Sequence, residues 1–284
     1  MLGVVVVGGR FELVTFSPKR LAYRIPDESL RDPRLLLSNP RSLVKRIEAA
    51  GIGEPLGHLG ELEVEVPVIS PGKIVGVGRN YGAHAREMGV EAPEEPDLFL
   101  KAPSSLIGYG HQIVVPGYVA KPDYEGEIVL VIGSRLKESS VAEARNAILG
   151  YTAGNDVTSR DLQVDRGKPW SMAKSIDTFS PLGPYIRVIN DSSELDDVCL
   201  ETRLSGEVVQ RGCVSDMILD PARLVSYISK YMTLYPGDVI YTGTPPGVGH
   251  ARSPPRYLRD GDIVEVRVEG IHPLVNRVVR RVMS

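Results

Sequence analysis

Short runs of valine and isoleucine, bounded by glycine and proline, recur along the chain and predict β-strands. In the run nearest the C-terminus, Val264 and Val266 alternate with Glu265 and Arg267, which predicts a strand with one buried and one exposed face. The turn "GIHPL" and a return strand, "VNRVVRRV", follow it. Strands are predicted at residues 4–7, 61–68, 73–78, 112–116, 127–133, 238–243 and 262–270.

Four other segments have a helical pattern. The first places Leu43 and Ile47 four positions apart, on one helical face, and ends at a glycine. Another begins with two serines, which are good N-caps, and ends at Gly150, and another has Pro221 in its first turn. Helices are therefore predicted at residues 42–51, 81–89, 139–150 and 220–232.

Strands outnumber helices, and the two do not alternate regularly. This balance predicts an α+β, β-rich protein with mixed or antiparallel sheets rather than a doubly wound α/β sheet. The segment "ISPGK" marks a candidate domain boundary. We predict a small N-terminal α/β domain at residues 1–70 and a larger catalytic domain at residues 71–284.

Composition narrows the class of protein. The 284 residues are 42% hydrophobic and 24% charged, with a net charge of -3, which is ordinary for a soluble protein and argues against a nucleic-acid partner. No apolar run approaches the roughly 20 residues that span a bilayer, so no membrane association is expected. The only cysteines, Cys199 and Cys213, predict neither a disulfide framework nor a zinc site, and a cytoplasmic location follows.

The apolar strand in "KPDYEGEIVLVIG" opens with two carboxylates, Glu125 and Glu127. Side chains two apart on a strand share a face, and Gly126 between them lets another element approach the opposite face. Two adjacent carboxylates repel each other, and a divalent cation with oxygen ligands would relieve that repulsion. The commoner alternative is that one glutamate bonds a turn while the other pairs with an arginine.

Further candidate residues follow in "GYTAGNDVTSRDLQ". Asp156 could complete a set of three carboxylates around one cation. Arg160 could bind a substrate carboxylate through its fork of donors, or it could pair with a neighbouring acid.

Other polar residues stand in loops and on the short helix. Lys174 lies in a polar stretch bounded by glycine and proline, and Thr244 lies in a turn whose N–H groups could bind an anion. His84 and Glu87 are three apart, so Glu87 could orient His84 as a general base, or the two could form a surface ion pair. A dinucleotide-binding fingerprint near residue 78 is improbable, because its third glycine is displaced and the βαβ pattern is missing.

Six ordered segments together resemble the fumarylacetoacetate hydrolase family, including its acylpyruvate hydrolases and 2-hydroxyhepta-2,4-diene-1,7-dioate isomerases. They are "VGRNYGAHAREMG", "FLKAPSSLIG", "DYEGEIVLVIG", "GYTAGNDVTSRDLQ", "AKSIDTFSPLGP" and "GDVIYTGTPPGVG". The resemblance covers roughly residues 72–282. It implies a mixed β-sandwich roll, a homodimer, and a common leader domain at the N-terminus.

The resemblance also implies roles for individual residues. It makes Glu125, Glu127 and Asp156 the ligands of Mg²⁺ or Mn²⁺, and Lys174 a catalytic or oxyanion-stabilising residue. Catalysis would further involve His84 and Glu87, a dyad on a lid helix. The substrate-contacting positions would be Arg160, Gln163 and Thr244.

The implied substrate is a small 2-oxo acid or its enol, and hydrolytic C–C cleavage of an acylpyruvate-type compound is the expected reaction. The alternatives are isomerisation or decarboxylation of 2-hydroxymuconate-type diacids, and dehydration of a 2-keto-3-deoxy sugar acid. A catalytically silent protein that binds a metal or ligand in the same pocket is the alternative from another class.

Overall fold

The structure is a computed structural model that describes residues 1–89, 91 and 94–281. Its α-helices are α1 Pro40–Ala50, α2 Gly82–Glu87, α3 Val141–Ala147, α4 Trp170–Lys174 and α5 Pro221–Tyr231. The strands of the N-terminal part are β1 Leu2–Val7, β2 Arg10–Phe16, β3 Leu21–Arg24, β4 Pro55–His58 and β5 Val64–Glu65.

The remaining strands fall in two groups along the chain. The first group is β6 Ile74–Gly78, β7 Asp97–Lys101, β8 Leu106–Ile107, β9 Gln112–Val115, β10 Pro122–Asp123, β11 Gly126–Ile132, β12 Ile148–Asn155 and β13 Thr158–Ser159. The second is β14 Ser180–Val188, β15 Cys199–Leu204, β16 Glu207–Cys213, β17 Val239–Tyr241, β18 Ile263–Val268 and β19 Leu274–Arg280.

The described strands form one large sheet, one smaller sheet and a two-stranded ribbon, β10–β13. The large sheet has the order β4-β3-β2-β1-β14-β12-β11-β17-β6-β7, with β5 beside β1 and β8 beside β14. The smaller one has the order β16-β15-β18-β19-β9. Most pairs are antiparallel, whereas β17–β6, β14–β8 and β19–β9 are parallel, so both sheets are mixed.

Strand β11 explains how the layers meet, because it is buried on both faces. Ile128 and Leu130 belong to an apolar cluster with Val264 and Val266 of the five-stranded sheet. The alternate residues of β11 join a second cluster with α1 and the N-terminal strands. The predicted β-rich α+β class and the two-layered, mixed-sheet architecture are confirmed.

The N-terminal segment adds strands to the large sheet. Strand β1 pairs with β14 at Leu2 and Ile186. Leu43 and Ile47 of α1 pack with Val129 and other residues of the second apolar cluster. The domain boundary near residue 70 stays a prediction.

One helix ends earlier than its sequence predicts. The predicted helix at 139–150 is wrong at its C-terminal end, because α3 stops at Ala147 and Ile148 begins β12. Its N-terminus fits the prediction, since Ser140 and Glu143 cap each other's backbone N–H groups. Ile148 instead pairs with Ile132 of β11, where a β-branched side chain is buried between strands.

The expectation of no disulfide is wrong. Cys199 and Cys213 are bonded, with their Cα atoms 3.9 Å apart. The cause is the register of the hairpin β15–β16, which places the two residues directly opposite each other. Separately, no helix within the described residues has both the length and the apolar character that crossing a bilayer requires.

Candidate active site

The two glutamates of the candidate site lie at the start of β11, as the strand periodicity predicts. Glu127 has the same parity as Val129, so its side chain points away from the five-stranded sheet. Gly126 faces that sheet, where an added Cβ would lie 1.9 Å from Oγ1 of Thr202. A glycine between the two carboxylates is therefore required by the close packing of β15.

A third carboxylate joins them from the neighbouring strand. Gly126 pairs with Asn155 across β11 and β12, and Asp156 follows directly, with its N–H donating to the backbone oxygen of Glu125 at 2.8 Å. One carboxylate oxygen each from Glu125, Glu127 and Asp156 lies within 4.8 Å of the others, and all three side chains are buried. The predicted convergence of three carboxylates is present.

Three cations contact this set, namely Lys174, Arg160 and Lys101. Lys174, at the end of α4, donates to Oε2 of Glu125 at 2.6 Å and to Oδ2 of Asp156 at 2.7 Å. Its third bond, to Oγ1 of Thr158 at 2.7 Å, saturates the donors of the ammonium. Arg160 donates to Oε1 of Glu125 at 2.5 Å. All these side chains are buried, so the charges lie in a region of low dielectric.

The alternative predicted for Glu125 and Glu127 is realised at the same time. Glu125 pairs with an arginine, and Oε2 of Glu127 accepts the N–H of Gly243 in a turn at 2.8 Å. These contacts do not separate the carboxylates, whose oxygens still converge with that of Asp156.

Burial and charge pull the pKa values of the two glutamates apart. Burial alone would raise the pKa of Glu125, but the positive charges of Lys174 and Arg160 outweigh it and lower that pKa to about 2. Burial raises the pKa of Glu127 well above its usual value, and the negative charges of Asp156 and Glu125 add to the effect.

The donor set fits a hard divalent cation. Carboxylate oxygens are the ligands that Mg²⁺ and Mn²⁺ prefer. In the described part of the chain, Lys174 and Arg160 form ion pairs with Glu125 but no lysine or arginine pairs with Glu127. A cation among the three carboxylates would supply the positive charge that Glu127 lacks.

Lys101, Asp123 and Gln210 are three of the residues at this site that were not predicted from the sequence. Lys101 ends β7 and donates both to Oδ1 of Asp156 and to the backbone oxygen of Phe179. Asp123 accepts from Nε of Arg160 at 2.8 Å and from two backbone N–H groups of the 249–250 turn. Signals were present in the sequence, because Lys101 directly follows the apolar residues "LFL" of β7 and Asp123 continues the spacing of two.

The third is Gln210 on β16. It is buried, and it accepts the N–H of Gly126 at 2.9 Å while donating to Oγ1 of Thr244 at 2.7 Å. Thr244 in turn donates to the backbone oxygen of Gly126 at 2.9 Å. One side chain from the smaller sheet thus fixes both the carboxylate-bearing segment and the predicted anion-binding turn. Its signal was an amide inside the apolar run "EVVQRG".

The donors of Arg160 are largely engaged by the protein itself. Besides Glu125 and Asp123, it donates to Oε1 of Gln163 at 2.8 Å. The predicted pairing of Arg160 with neighbouring acids is therefore present, and the residue also lines a cavity. Its binding of a substrate carboxylate stays a prediction.

His84 and Glu87 face each other on α2, with Nδ1 of His84 3.2 Å from Oε2 of Glu87. The carboxylate of Glu87 also accepts the N–H of Gly247, at 2.9 Å. His84 is buried and lines the cavity, whereas Glu87 is exposed, so the pair joins the cavity to the surface.

A cavity of about 350 Å³ brings these groups together. Glu127 and Glu87 are not among its lining residues. The predicted site residues that line it are His84, Glu125, Asp156, Arg160, Gln163, Lys174 and Thr244. Their roles stay predictions, whereas their meeting in one cavity is a finding.

Known proteins are similar to this chain in sequence and in fold. The family described as fumarylacetoacetate (FAA) hydrolase C-terminal matches residues 73–279. The human mitochondrial oxaloacetate tautomerase FAHD2A is 38% identical over 239 residues, 84% of this chain and 76% of that protein.

In two of the similar solved structures, the alignment covers 99% of this chain and 99% of the other chain. The 5-carboxymethyl-2-hydroxymuconate delta-isomerase of Mycobacterium smegmatis has a TM-score of 0.79 at 37% identity. The fumarylacetoacetate hydrolase of Exiguobacterium antarcticum has a TM-score of 0.84 at 32% identity.

Proposed function

Because this chain belongs to the fumarylacetoacetate hydrolase family, we propose that it is a divalent-metal-dependent enzyme acting on a 2-oxo acid or its enol. The reaction we propose is hydrolysis of the C–C bond of an acylpyruvate-type substrate. One observation carries the proposal: three carboxylates converge beside a cavity that is also lined by Lys174, Arg160 and His84.

Glu125, Glu127 and Asp156 would hold the ion, Mg²⁺ or Mn²⁺. Bound there, it would act as a Lewis acid toward the adjacent oxo and carboxylate oxygens of the substrate. The remaining steps are assigned to side chains of the protein.

Lys174 and Arg160 bind and stabilise negative charge. Both are buried, so their attraction for a developing oxyanion is weakly screened. Lys174 already has three acceptors, and it would donate to the substrate by exchanging one of them. Arg160 would bind the substrate carboxylate in the place of Gln163.

His84 serves as the general base. Its Nδ1 faces Glu87, which leaves Nε2 to take a proton from a water molecule in the cavity. The water oxygen adds to the acyl carbonyl carbon, and the bond from that carbon to C3 of the pyruvate unit breaks. The electron pair passes to the pyruvate unit, which takes up a proton, so the products are a carboxylic acid and pyruvate.

A second candidate reaction is tautomerisation or isomerisation of the same class of substrate. The names of the human tautomerase and the mycobacterial isomerase favour it. It uses the same anion-stabilising groups, but moves a proton between carbon and oxygen or between two carbons without adding water.

The purified protein with Mg²⁺ should be assayed against acetylpyruvate, fumarylpyruvate, oxaloacetate, a hydroxymuconate and 2-keto-3-deoxyarabinonate. Release of pyruvate from the acylpyruvates supports hydrolysis, and enol–keto conversion of oxaloacetate without pyruvate release supports the second candidate. Turnover of none of the five, with and without metal, would leave the silent binding protein as the better account.

The quaternary structure and location complete the proposal. The family resemblance leads us to expect a homodimer. A cytoplasmic location and the absence of a nucleic-acid or membrane partner stay expectations from the composition, and the Cys199–Cys213 bond removes the cysteine argument for that location. Sedimentation of the purified chain tests the dimer directly.

A further inference from the structure

Arg79 lines the cavity but has no part in the proposed chemistry. Two aromatic rings, those of Phe99 and Trp170, lie between Arg79 and Lys174. Nζ of Lys174 lies 5.3 Å from the ring centroid of Phe99, whose ring meets that of Trp170 edge-to-face at 5.6 Å. The guanidinium of Arg79 then lies 5.8 Å from the Trp170 ring. The cavity therefore has a cation at each end of an apolar wall.

The backbone around Arg79 is shaped to make this arrangement. A Cβ on Gly78 would lie 2.0 Å from a ring carbon of Trp170, so only glycine lets the indole pack there. Arg79 itself has a φ of 62°, in the left-handed region that non-glycine residues seldom adopt. Such conformations concentrate at ligand-binding sites, where the surrounding structure maintains them.

Asp97 binds two nitrogens of the Arg79 guanidinium. Its Oδ2 accepts from Nε of Arg79 at 2.6 Å and also pairs with Nη2. Asp97 does not line the cavity, whereas Arg79 does. Among the described residues no hydrogen bond reaches Nη1 of Arg79, so that end of the fork can accept a further anionic partner.

We propose that Arg79 is an anion subsite that selects 2-oxo acids carrying a second carboxylate at the far end of the carbon chain. This inference rests on the proposed function, because it requires the 2-oxo acid group to bind at the carboxylate and Lys174 end. The wall of Phe99 and Trp170 contacts the intervening carbons, and Nη1 of Arg79 donates to the distal carboxylate. Short acids that end before the wall gain nothing from Arg79.

A matched pair of 2-oxo acids, which lack the acyl C–C bond that hydrolysis would break, tests the subsite by binding alone. Both 2-oxoadipate and 2-oxohexanoate have six carbons and a 2-oxo acid group, and only the first has a terminal carboxylate. Titration calorimetry of the full-length, Mg²⁺-loaded protein should give a dissociation constant at least tenfold lower for 2-oxoadipate. Loss of one hydrogen bond to a charged group corresponds to a factor of roughly 10 to 100.

Arg79→Gln should raise the dissociation constant of 2-oxoadipate by roughly 10- to 100-fold, while that of 2-oxohexanoate changes less than about threefold. Arg79→Lys keeps the charge but loses the forked pair of donors, so its dissociation constant for 2-oxoadipate should lie between those of the wild type and Arg79→Gln. Arg86→Gln is the matched control, since it removes an exposed arginine of α2 that does not line the cavity. It should leave the ratio of the two dissociation constants at its wild-type value.

The outcomes separate the two claims. The subsite is overturned if the wild type binds both ligands with equal affinity, or if Arg79→Gln loses affinity for both ligands by the same factor. Either result leaves the proposed function standing. Failure of both ligands to bind the loaded wild type contradicts the proposed function itself, and the subsite with it.

Discussion

The ammonium of Lys174 lies 2.6 Å from the carboxylate of Glu125, and both groups are buried. The same ammonium bonds Asp156, so it holds together two of the three carboxylates that would bind a metal. Removing it breaks two buried ion pairs, although Glu125 keeps Arg160 and Asp156 keeps Lys101. Breaking a buried pair that is left without compensation costs about 3–5 kcal/mol, so we expect a smaller loss here.

Lys174→Met should therefore lower the stability of the metal-free protein, and Mg²⁺ should raise its melting temperature more than that of the wild type. The reason is that a divalent cation compensates the same two carboxylates. Thermal unfolding with and without MgCl₂ measures both effects, and the exposed Lys168→Met is the control. An identical metal-dependent shift in Lys174→Met and wild type would contradict this role.

His84→Ala should reduce hydrolysis of an acylpyruvate by roughly 10²- to 10⁴-fold, the usual contribution of a general base. Tautomerisation of oxaloacetate should be affected less, because it requires no activation of water. Steady-state rates of both reactions give the comparison, with Arg86→Gln as the control on the same helix. If both activities fall by the same factor, α2 acts by closing the cavity rather than by supplying a base.

Gln210→Leu should weaken metal binding and lower stability by about 1–3 kcal/mol, since it leaves a buried backbone donor without a partner. The donor is the N–H of Gly126, between the two glutamates. Calorimetric Mg²⁺ binding and urea unfolding measure the two effects. Gln112→Leu on β9, an exposed position, is the matched control. Unchanged metal affinity in Gln210→Leu would show that Gln210 only supports the fold.

Reduction of the Cys199–Cys213 bond should destabilise the protein. The bond closes a loop with a sequence separation of 14, and a loop of about 15 residues corresponds to about 3 kcal/mol in the chain-entropy account. Unfolding should be compared with and without a dithiol, using the Cys199→Ser/Cys213→Ser variant as the reference that a reductant cannot affect. Equal stability of the oxidised and reduced wild type would contradict the expectation.

Local periodicity was enough to predict part of the site. The spacing of two in β11 puts Glu125 and Glu127 on one face, and the antiparallel return of β12 brings Asp156 beside them. Strand character in "EIVLVIG" and the cap of α3 also follow from local chemistry.

Tertiary contacts decided the rest. Lys101 and Gln210 reach the site from strands far along the chain, so no spacing could indicate their partners. The register of β15 and β16 placed the cysteines opposite each other, and pairing with β11 drew Ile148 out of the predicted helix. All of these contacts depend on which strands pair with each other, and local patterns in one sequence do not determine strand pairing.

The central claim is that Glu125, Glu127 and Asp156 bind one divalent cation. Crystals grown with Mn²⁺ and measured for anomalous scattering test it most directly. The account predicts one strong peak bounded by the three carboxylates, absent in crystals of Glu127→Gln grown in the same way. A wild-type map without that peak, with Glu127 held only by the N–H of Gly243, would contradict it.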